Sequence, residues 1–194
     1  MAYAKEGASV VINYPNEQEE SNARNILNEL SAFSENSMIY MADVSSSNEV
    51  KKMIETVDAK YKSIDILVNN AGIATSSPIH EMPDKMWTEL LSIHLNGTFF
   101  CTRECLNIMY KNNYGRIINT ASQLAYKGSA GFAHYTAAKG AIISFTRSLS
   151  LEIGTRNIRA NCVAPGATMT RMLADVPKEI LDDIKQSIPK GTIA

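Results

Sequence analysis

The nine residues Ile64–Gly72 read IDILVNNAG. A short apolar run rich in β-branched side chains gives way at once to small and polar residues. Such a run, bounded by turn-forming residues, reads as a strand buried on both faces. Similar runs occur at Ala8–Tyr14 (ASVVINY), Ser37–Val44 (SMIYMADV), Gly115–Ser122 (GRIINTAS) and Asn157–Gly166 (NIRANCVAPG). Between them lie longer segments with helical spacing of apolar residues, near Glu17–Leu30, Glu49–Lys60, Asp84–Lys111 and His134–Ile153. Short buried strands alternating with helices predict an α/β fold, a parallel sheet with helices on both faces. No internal repeat, low-complexity tract or Gly/Ser linker interrupts residues 1–194, so a single domain is expected. Some helix starts are legible: Ser46 or Ser47 as a cap ahead of Val50 and Ile54, and Pro83-Asp84 ahead of Met86 and Trp87.

Bulk composition narrows the function classes. Hydrophobic residues are 45% of the chain, charged residues 20%, and the net charge is -1. That balance gives no electrostatic reason to expect nucleic acid or an acidic membrane as partner. No apolar run reaches membrane-spanning length, and the first residues lack the basic-then-apolar layout of a signal peptide. Three cysteines without disulfide-like spacing suit a reducing, cytoplasmic setting. Cys101 and Cys105 stand four apart with no histidine beside them, a pattern of helix packing rather than metal ligation, and no metal site is expected. Asn96-Gly97-Thr98 matches a glycosylation sequon, discounted without a secretory signal.

Ligands of a parallel sheet bind beyond the carboxyl ends of its strands, so those ends are the places to look for chemistry. The third run ends in Asn69-Asn70-Ala71-Gly72, where small residues admit a close backbone approach and a side-chain amide can tie loops together. The fourth ends at Ser122, the fifth at Pro165-Gly166. Thirteen residues after Ser122 comes Tyr135, and four after that Lys139. An i,i+4 pair shares one helical face. A free tyrosine, with a pKa of about 10, is too weak an acid for neutral pH, and a nearby ammonium favours its phenolate. A serine hydroxyl can meanwhile hold a carbonyl or alkoxide oxygen. Taken alone, the pair is better read as a packed tyrosine and a solvated lysine.

The ordered set changes that reading. NNAG, a serine thirteen residues before the tyrosine, YxxxK, and NxxxPG from Asn161 to Gly166 follow one another at strand ends. In this the chain resembles the short-chain dehydrogenase/reductase family, over essentially its whole length. Within it the likeness is to 3-oxoacyl-[acyl-carrier-protein] reductases and glucose dehydrogenase-type members. The resemblance implies a Rossmann-like doubly wound parallel sheet, and an NAD(P)(H)-dependent oxidoreductase that moves a hydride between nicotinamide and a carbonyl or secondary alcohol. It assigns Tyr135 as acid–base, Lys139 as the residue lowering its pKa and binding ribose, and Ser122 as orienting the substrate oxygen. Asp43 and Val44 would flank adenine; Asn70, Ala71 and Gly72 would line the cofactor, with Asn69 a structural tie. Pro165, Gly166, Thr168 and Thr170 would lie near the nicotinamide carboxamide.

The chain also departs from the family. In IHLNGTFF, His94 stands where an asparagine usually completes a water relay to the lysine. Imidazole can hold a water and shuttle a proton, giving His94 a catalytic assignment; the alternative is a plug that slows the relay. The glycine-rich TGxxxGxG loop and its strand do not occur, and Ala2–Tyr14 resembles the run from the following helix into the second strand. The expected sheet therefore lacks both its first strand with that loop and its last strand, and the chain is expected to be a piece of a longer enzyme. Strand two ends in Asn13-Tyr14 with no acidic residue to hold a ribose 2′-hydroxyl, which favours NADP(H) over NAD(H).

A reading of another class remains: a truncated, catalytically silent homologue that serves as a binding or oligomerisation partner, or a gene remnant. The long apolar helices Asp84–Lys111 and His134–Ile153 suit a homodimer or homotetramer, or pack only on their own sheet. The substrate stays open among an acyl thioester, a sugar and another small carbonyl or alcohol. The tail beyond Gly166, with Pro177 and Pro189, is expected to act as a lid.

Overall fold

The computed structural model describes residues 1–170, 176 and 178–194. A single helical turn, α1 (Ala2–Lys5), leads into β1 (Val11–Tyr14); a 3₁₀ turn, Glu17–Glu19, then opens α2 (Glu20–Ser31). There follow β2 (Met38–Met41), α3 (Ser47–Tyr61), β3 (Ile66–Asn69) and α4 (Asp84–Leu91). A π-helical turn, Ser92–Asn96, joins α4 to α5 (Gly97–Asn112). The remainder is β4 (Gly115–Thr120), the short α6 (Leu124–Lys127), α7 (Ala133–Glu152), β5 (Ile158–Val163) and α8 (Lys178–Gln186).

Every strand pairing is parallel, as the alternation of strands and helices predicted. The strands nevertheless form two separate sheets among the described residues, β1-β2 and β3-β4-β5. Val11 registers with Met38 in the first; Ile66 registers with Arg116 and Gly115 with Ile158 in the second. The doubly wound arrangement with a strand lacking between its halves is thus the one observed. What joins the halves is a helical layer. Val50, Met53 and Ile54 of α3 and Cys101, Cys105, Leu106 and Met109 of α5 form one buried cluster with Ala42, Ile117 and Ile158. On the same face α7 lies beside α5 over β4 and β5, and its Leu149 joins that cluster.

Local signals explain several boundaries. Ser46, not Ser47, caps α3: its hydroxyl accepts from the Glu49 amide at 3.4 Å, while the Glu49 carboxylate accepts from the Asp43 amide at 2.9 Å. α5 ends where Asn113 turns left-handed at φ 48°, a conformation asparagine tolerates. The segment Asp84–Lys111, expected as one helix, is broken by the π turn, whose wider loop rotates His94 out of the α-helical register and into the interior. The two neighbouring cysteines are packing residues: both are buried, and burial raises the Cys101 thiol to about 11 and that of Cys105 further.

Three elements are pinned by one buried amide, and a fourth through its partner Asn69. Asn119 is fully buried on β4, on the same face as Ile117. Its Oδ1 accepts from Asn69 Nδ2 at 2.8 Å, and its Nδ2 donates to Thr146 Oγ1 on α7 at 2.9 Å. Asn69 Nδ2 also reaches Thr102 Oγ1 on α5 at 3.1 Å. Asn119→Ala should therefore cost about 2–3 kcal/mol, because it strands buried polar partners as well as removing two bonds. Urea unfolding of the two proteins checks this; equal midpoints would show the amide carries no structural weight.

Candidate active site

Because the strands are parallel within each sheet, their carboxyl ends gather the chain's polar exits. Lys139 lies one helical turn past Tyr135 on α7 and is buried, only 4% exposed. Its ammonium donates to the Thr120 carbonyl, the last residue of β4, at 2.7 Å. It sits 5.7 Å from the Tyr135 ring centroid. Burial lowers its pKa from 10.5 to about 8, with Cys162 acting in the opposite sense. Two residues beyond Thr120, Ser122 is buried and its hydroxyl accepts from the Leu124 amide at 3.2 Å. The exit of β5 is drawn alongside: Ala121 N donates to Val163 O at 2.8 Å, and Gln123 N to Pro165 O at 3.0 Å.

His94 closes this end from the π turn. Its ring meets that of Tyr135 edge-on, centroids 5.5 Å apart at 78°. Phe132 holds the other side of the tyrosine at 6.3 Å and 84°. His94 Nε2 lies 2.8 Å from the Ile73 carbonyl and 2.9 Å from the Ile73 amide. One nitrogen cannot serve both at once: protonated it donates to the carbonyl, bare it accepts from the amide. In either tautomer the buried Nδ1 has no protein partner. Gly72 packs directly on the imidazole, and a β-carbon there would collide with the ring. Burial first, then the charge of Lys139, lower the His94 pKa from 6.5 to about 4; the Ile73 contact opposes them, and His134 adds a last, smaller lowering. The residue is a neutral imidazole at pH 7.

The residues expected to hold a cofactor divide into two groups. Val44, Asn70 and Ala71 line the upper end of a cavity of about 900 Å³, with Gly97 pressed so close to Val44 that an added β-carbon would stand 2.9 Å from its Cγ2. Asn70 Oδ1 accepts from Thr120 Oγ1 at 3.3 Å, which sets that exit beside Lys139. Asp43 is turned toward its own loop, its Oδ1 accepting from the Ser45 amide at 2.9 Å. The second group, Pro165, Gly166, Thr168 and Thr170, lies on an exposed segment. There Thr168 Oγ1 donates to the Gly166 carbonyl at 3.4 Å, and Met169 N donates to Ala194 O at 2.6 Å. The lid expected beyond Gly166 falls partly on residues 171–175 and 177, including Pro177, which lie outside the described residues. A nicotinamide dinucleotide suits the first group: small exposed exits (Ala71, Gly72) beside an apolar side chain (Val44) and a buried ammonium. At the end of β1, Asn13 spends its amide on the Tyr40 and Ala42 carbonyls at 3.3 and 2.8 Å.

Sequence reasoning overlooked Asn119, Thr102 and Thr146, and the contact of Thr75 Oγ1 with His134 Nε2 at 2.9 Å. For Asn119 a signal existed, since it alternates with Gly115 and Ile117 on the packed side of β4.

The sequence profile described as short chain dehydrogenase matches residues 1–180. The chain is 34% identical over all 194 residues to the (2S)-[(R)-hydroxy(phenyl)methyl]succinyl-CoA dehydrogenase subunit BbsD of Thauera aromatica, covering 76% of that protein. It is 35% identical over 189 residues to a 3-oxoacyl-[acyl-carrier-protein] reductase of Synechocystis sp., 97% of this chain and 74% of the other. Among solved structures, a gluconate 5-dehydrogenase from Burkholderia cenocepacia, in complex with NADP and tartrate, superposes with a TM-score of 0.89 at 29% identity. That match covers 98% of this chain and 74% of the other. The chain belongs to the short-chain dehydrogenase family, a family of NAD(P)-dependent oxidoreductases.

The buried imidazole generates a pH dependence. Its folded pKa lies below that of a free imidazole, so protons favour the unfolded chain; stability is complete above about pH 6.5 and falls as pH drops toward 4. Between pH 7.5 and 4.5 the wild type should lose on the order of 2 kcal/mol more than His94→Asn. Urea midpoints at the two pH values test this, and parallel losses would disprove it.

Proposed function

We propose that this chain binds NADP(H) in preference to NAD(H) and interconverts a small carbonyl and its secondary alcohol, with Tyr135 as acid–base. The observation that carries the reading is the buried Lys139, tied to the end of β4 and facing the Tyr135 ring. Of its three ammonium protons, one goes to the Thr120 carbonyl. The others are available for a ribose hydroxyl and for the oxygen of Tyr135. Its charge stabilises negative charge developing on that oxygen as the proton leaves. Ser122 holds the substrate oxygen. His94, neutral and with Nδ1 free of protein partners, takes the relay position and passes protons toward Lys139 through water. Asp43, Val44, Asn70, Ala71 and Gly72 hold the adenosine side, while Pro165, Gly166, Thr168 and Thr170 face the carboxamide. A bound nicotinamide supplies or takes the hydride.

The preference for the 2′-phosphate form rests on Asn13, whose amide is already engaged and which offers no carboxylate to a ribose. The NADP named with the gluconate 5-dehydrogenase supports the same choice. Relatives named for CoA and acyl-carrier thioesters make an acyl thioester a natural first substrate class. Three free cysteines fit a cytoplasmic enzyme. Among the described residues no helix is long and apolar enough to cross a membrane. Phe99 on α5 and Leu151 on α7, 42% and 83% exposed, mark helix faces suited to a homodimer or homotetramer.

A second reading, a catalytically silent binding partner, draws on the divided sheet. NADPH fluorescence separates the two: saturable enhancement supports the enzyme, and none supports the silent partner. In the active protein Tyr135→Phe should cut turnover by about 10³-fold with an unchanged melting midpoint. Turnover matching wild type would refute the assignment. Phe99→Glu should shift sedimentation toward monomer; an unchanged profile would remove α5 from the interface.

A further inference from the structure

We infer that the hydrogen bond between Thr75 and His134 holds the first turn of α7 against the segment that follows β3, and so fixes the place of Tyr135. Both are positioning residues that act through the tyrosine. Residues 70–78 form neither helix nor strand. Three ties hold this segment between Ile73 and Ser77. His94 Nε2 contacts the Ile73 backbone, Thr75 Oγ1 lies 2.9 Å from His134 Nε2, and Ser77 N donates to Gly131 O at 2.9 Å. The first tie comes from the π turn, and the other two from residues just ahead of Tyr135. His94, which holds Ile73, also meets the tyrosine ring edge-on at 5.5 Å.

The tie matters because of where the tyrosine stands. α7 begins at Ala133, so Tyr135 is its third residue, and Phe132 at the cap position makes no side-chain cap bond. The first turn of a helix has no intrahelical partners for its amides, and without a cap it is the least well held. Among the described residues, the contact with Thr75 is the one side-chain hydrogen bond from residues 133–136 to another element. His134 is fully buried, and its Nδ1 has no protein partner; Thr75 is half-buried. An orphaned N–H is costlier to bury than a bare acceptor, so the ring proton belongs on Nε2 and the imidazole donates to Thr75. Lys139, one turn further on, is anchored separately to Thr120. Without the tie the first turn is free to move while Lys139 stays, and a displacement of about 1 Å at a reacting group costs on the order of 100-fold in rate. The effect on turnover rests on the oxidoreductase reading; the effect on the tyrosine's position does not.

The full 194-residue chain, carbon-labelled at its tyrosine rings, is compared by NMR with Thr75→Val, Thr75→Ser, His134→Leu and His134→Gln, and Tyr135→Phe assigns the resonance. Ring currents of His94 and Phe132 make the Tyr135 signal a report of its place. Thr75→Val and His134→Leu should each shift that signal. Thr75→Ser and His134→Gln, which keep a bonding group at the same point, should return it toward wild type. Turnover of acetoacetyl-CoA with NADPH should fall about tenfold in the Val and Leu variants, recover in the Ser and Gln variants, and fall no further when Val and Leu are combined. If His134→Leu does not fold, Thr75→Val, isosteric at a half-buried position, carries the test. An unmoved Tyr135 signal in Thr75→Val would overturn the inference. So would turnover lost as fully in His134→Gln as in His134→Leu, which would make the histidine a packing residue, or losses that multiply in the double variant. A signal that responds as expected in a chain without turnover supports the tie and counts against the oxidoreductase reading alone.

Discussion

The buried carboxamide of Asn119 is the constraint from which the arrangement of the catalytic end follows. A side-chain amide removed from water must have its donors and acceptors met, and here the partners come from β3, by way of Asn69, and from α7, by way of Thr146. Those bonds set α7 against the end of β4 at one height. From that height Lys139 reaches the Thr120 carbonyl, and Tyr135 stands over the strand exits. Apolar packing alone tolerates sliding by a fraction of a turn. A directional network does not, because a small shift leaves a buried polar atom unpaired.

The same logic explains how a lysine can be buried beside a histidine without a carboxylate in contact. The ammonium has a backbone carbonyl as partner, and its lowered pKa shows that desolvation outweighs that single bond. The imidazole answers by staying neutral. Two groups that would repel as cations coexist because one gives up its charge, which leaves a free ring nitrogen inside a site otherwise sealed by Tyr135, Gly72 and Ile73.

The division of the sheet shows which interactions hold the two halves together. Strand pairing ends at β1 on one side and β3 on the other, and the continuity passes instead through α3 against α5, with Val44 pressed onto Gly97 at the upper end. Helix–helix burial is non-directional and can span a break in a sheet. Backbone pairing cannot, and so the open edges persist as a slot. The family likeness holds across this gap, since the superposition on a solved relative includes nearly the whole chain.

Periodicity was sufficient for the α/β class, the parallel pairing and the strand exits, since two-sided burial of a parallel strand leaves a continuous apolar run that any reader of Ile64–Val68 can see. The cap at Ser46 and the pair Tyr135–Lys139 are likewise local, set by spacings of three and four residues. The π turn was not legible: its hydrogen bonds skip one residue further than those of an α-helix, and nothing in SIHLN announces it. Nor was the Asn119 network, whose partners lie 50 and 27 residues away in the chain. Sequence by itself determined which residues are strands, helices and candidate acids, because those depend on neighbours a few positions apart. Tertiary structure alone decided that Lys139 is desolvated and that His94 is neutral. Each of those depends on distances between segments remote in sequence, and burial and electrostatics act through space rather than along the chain.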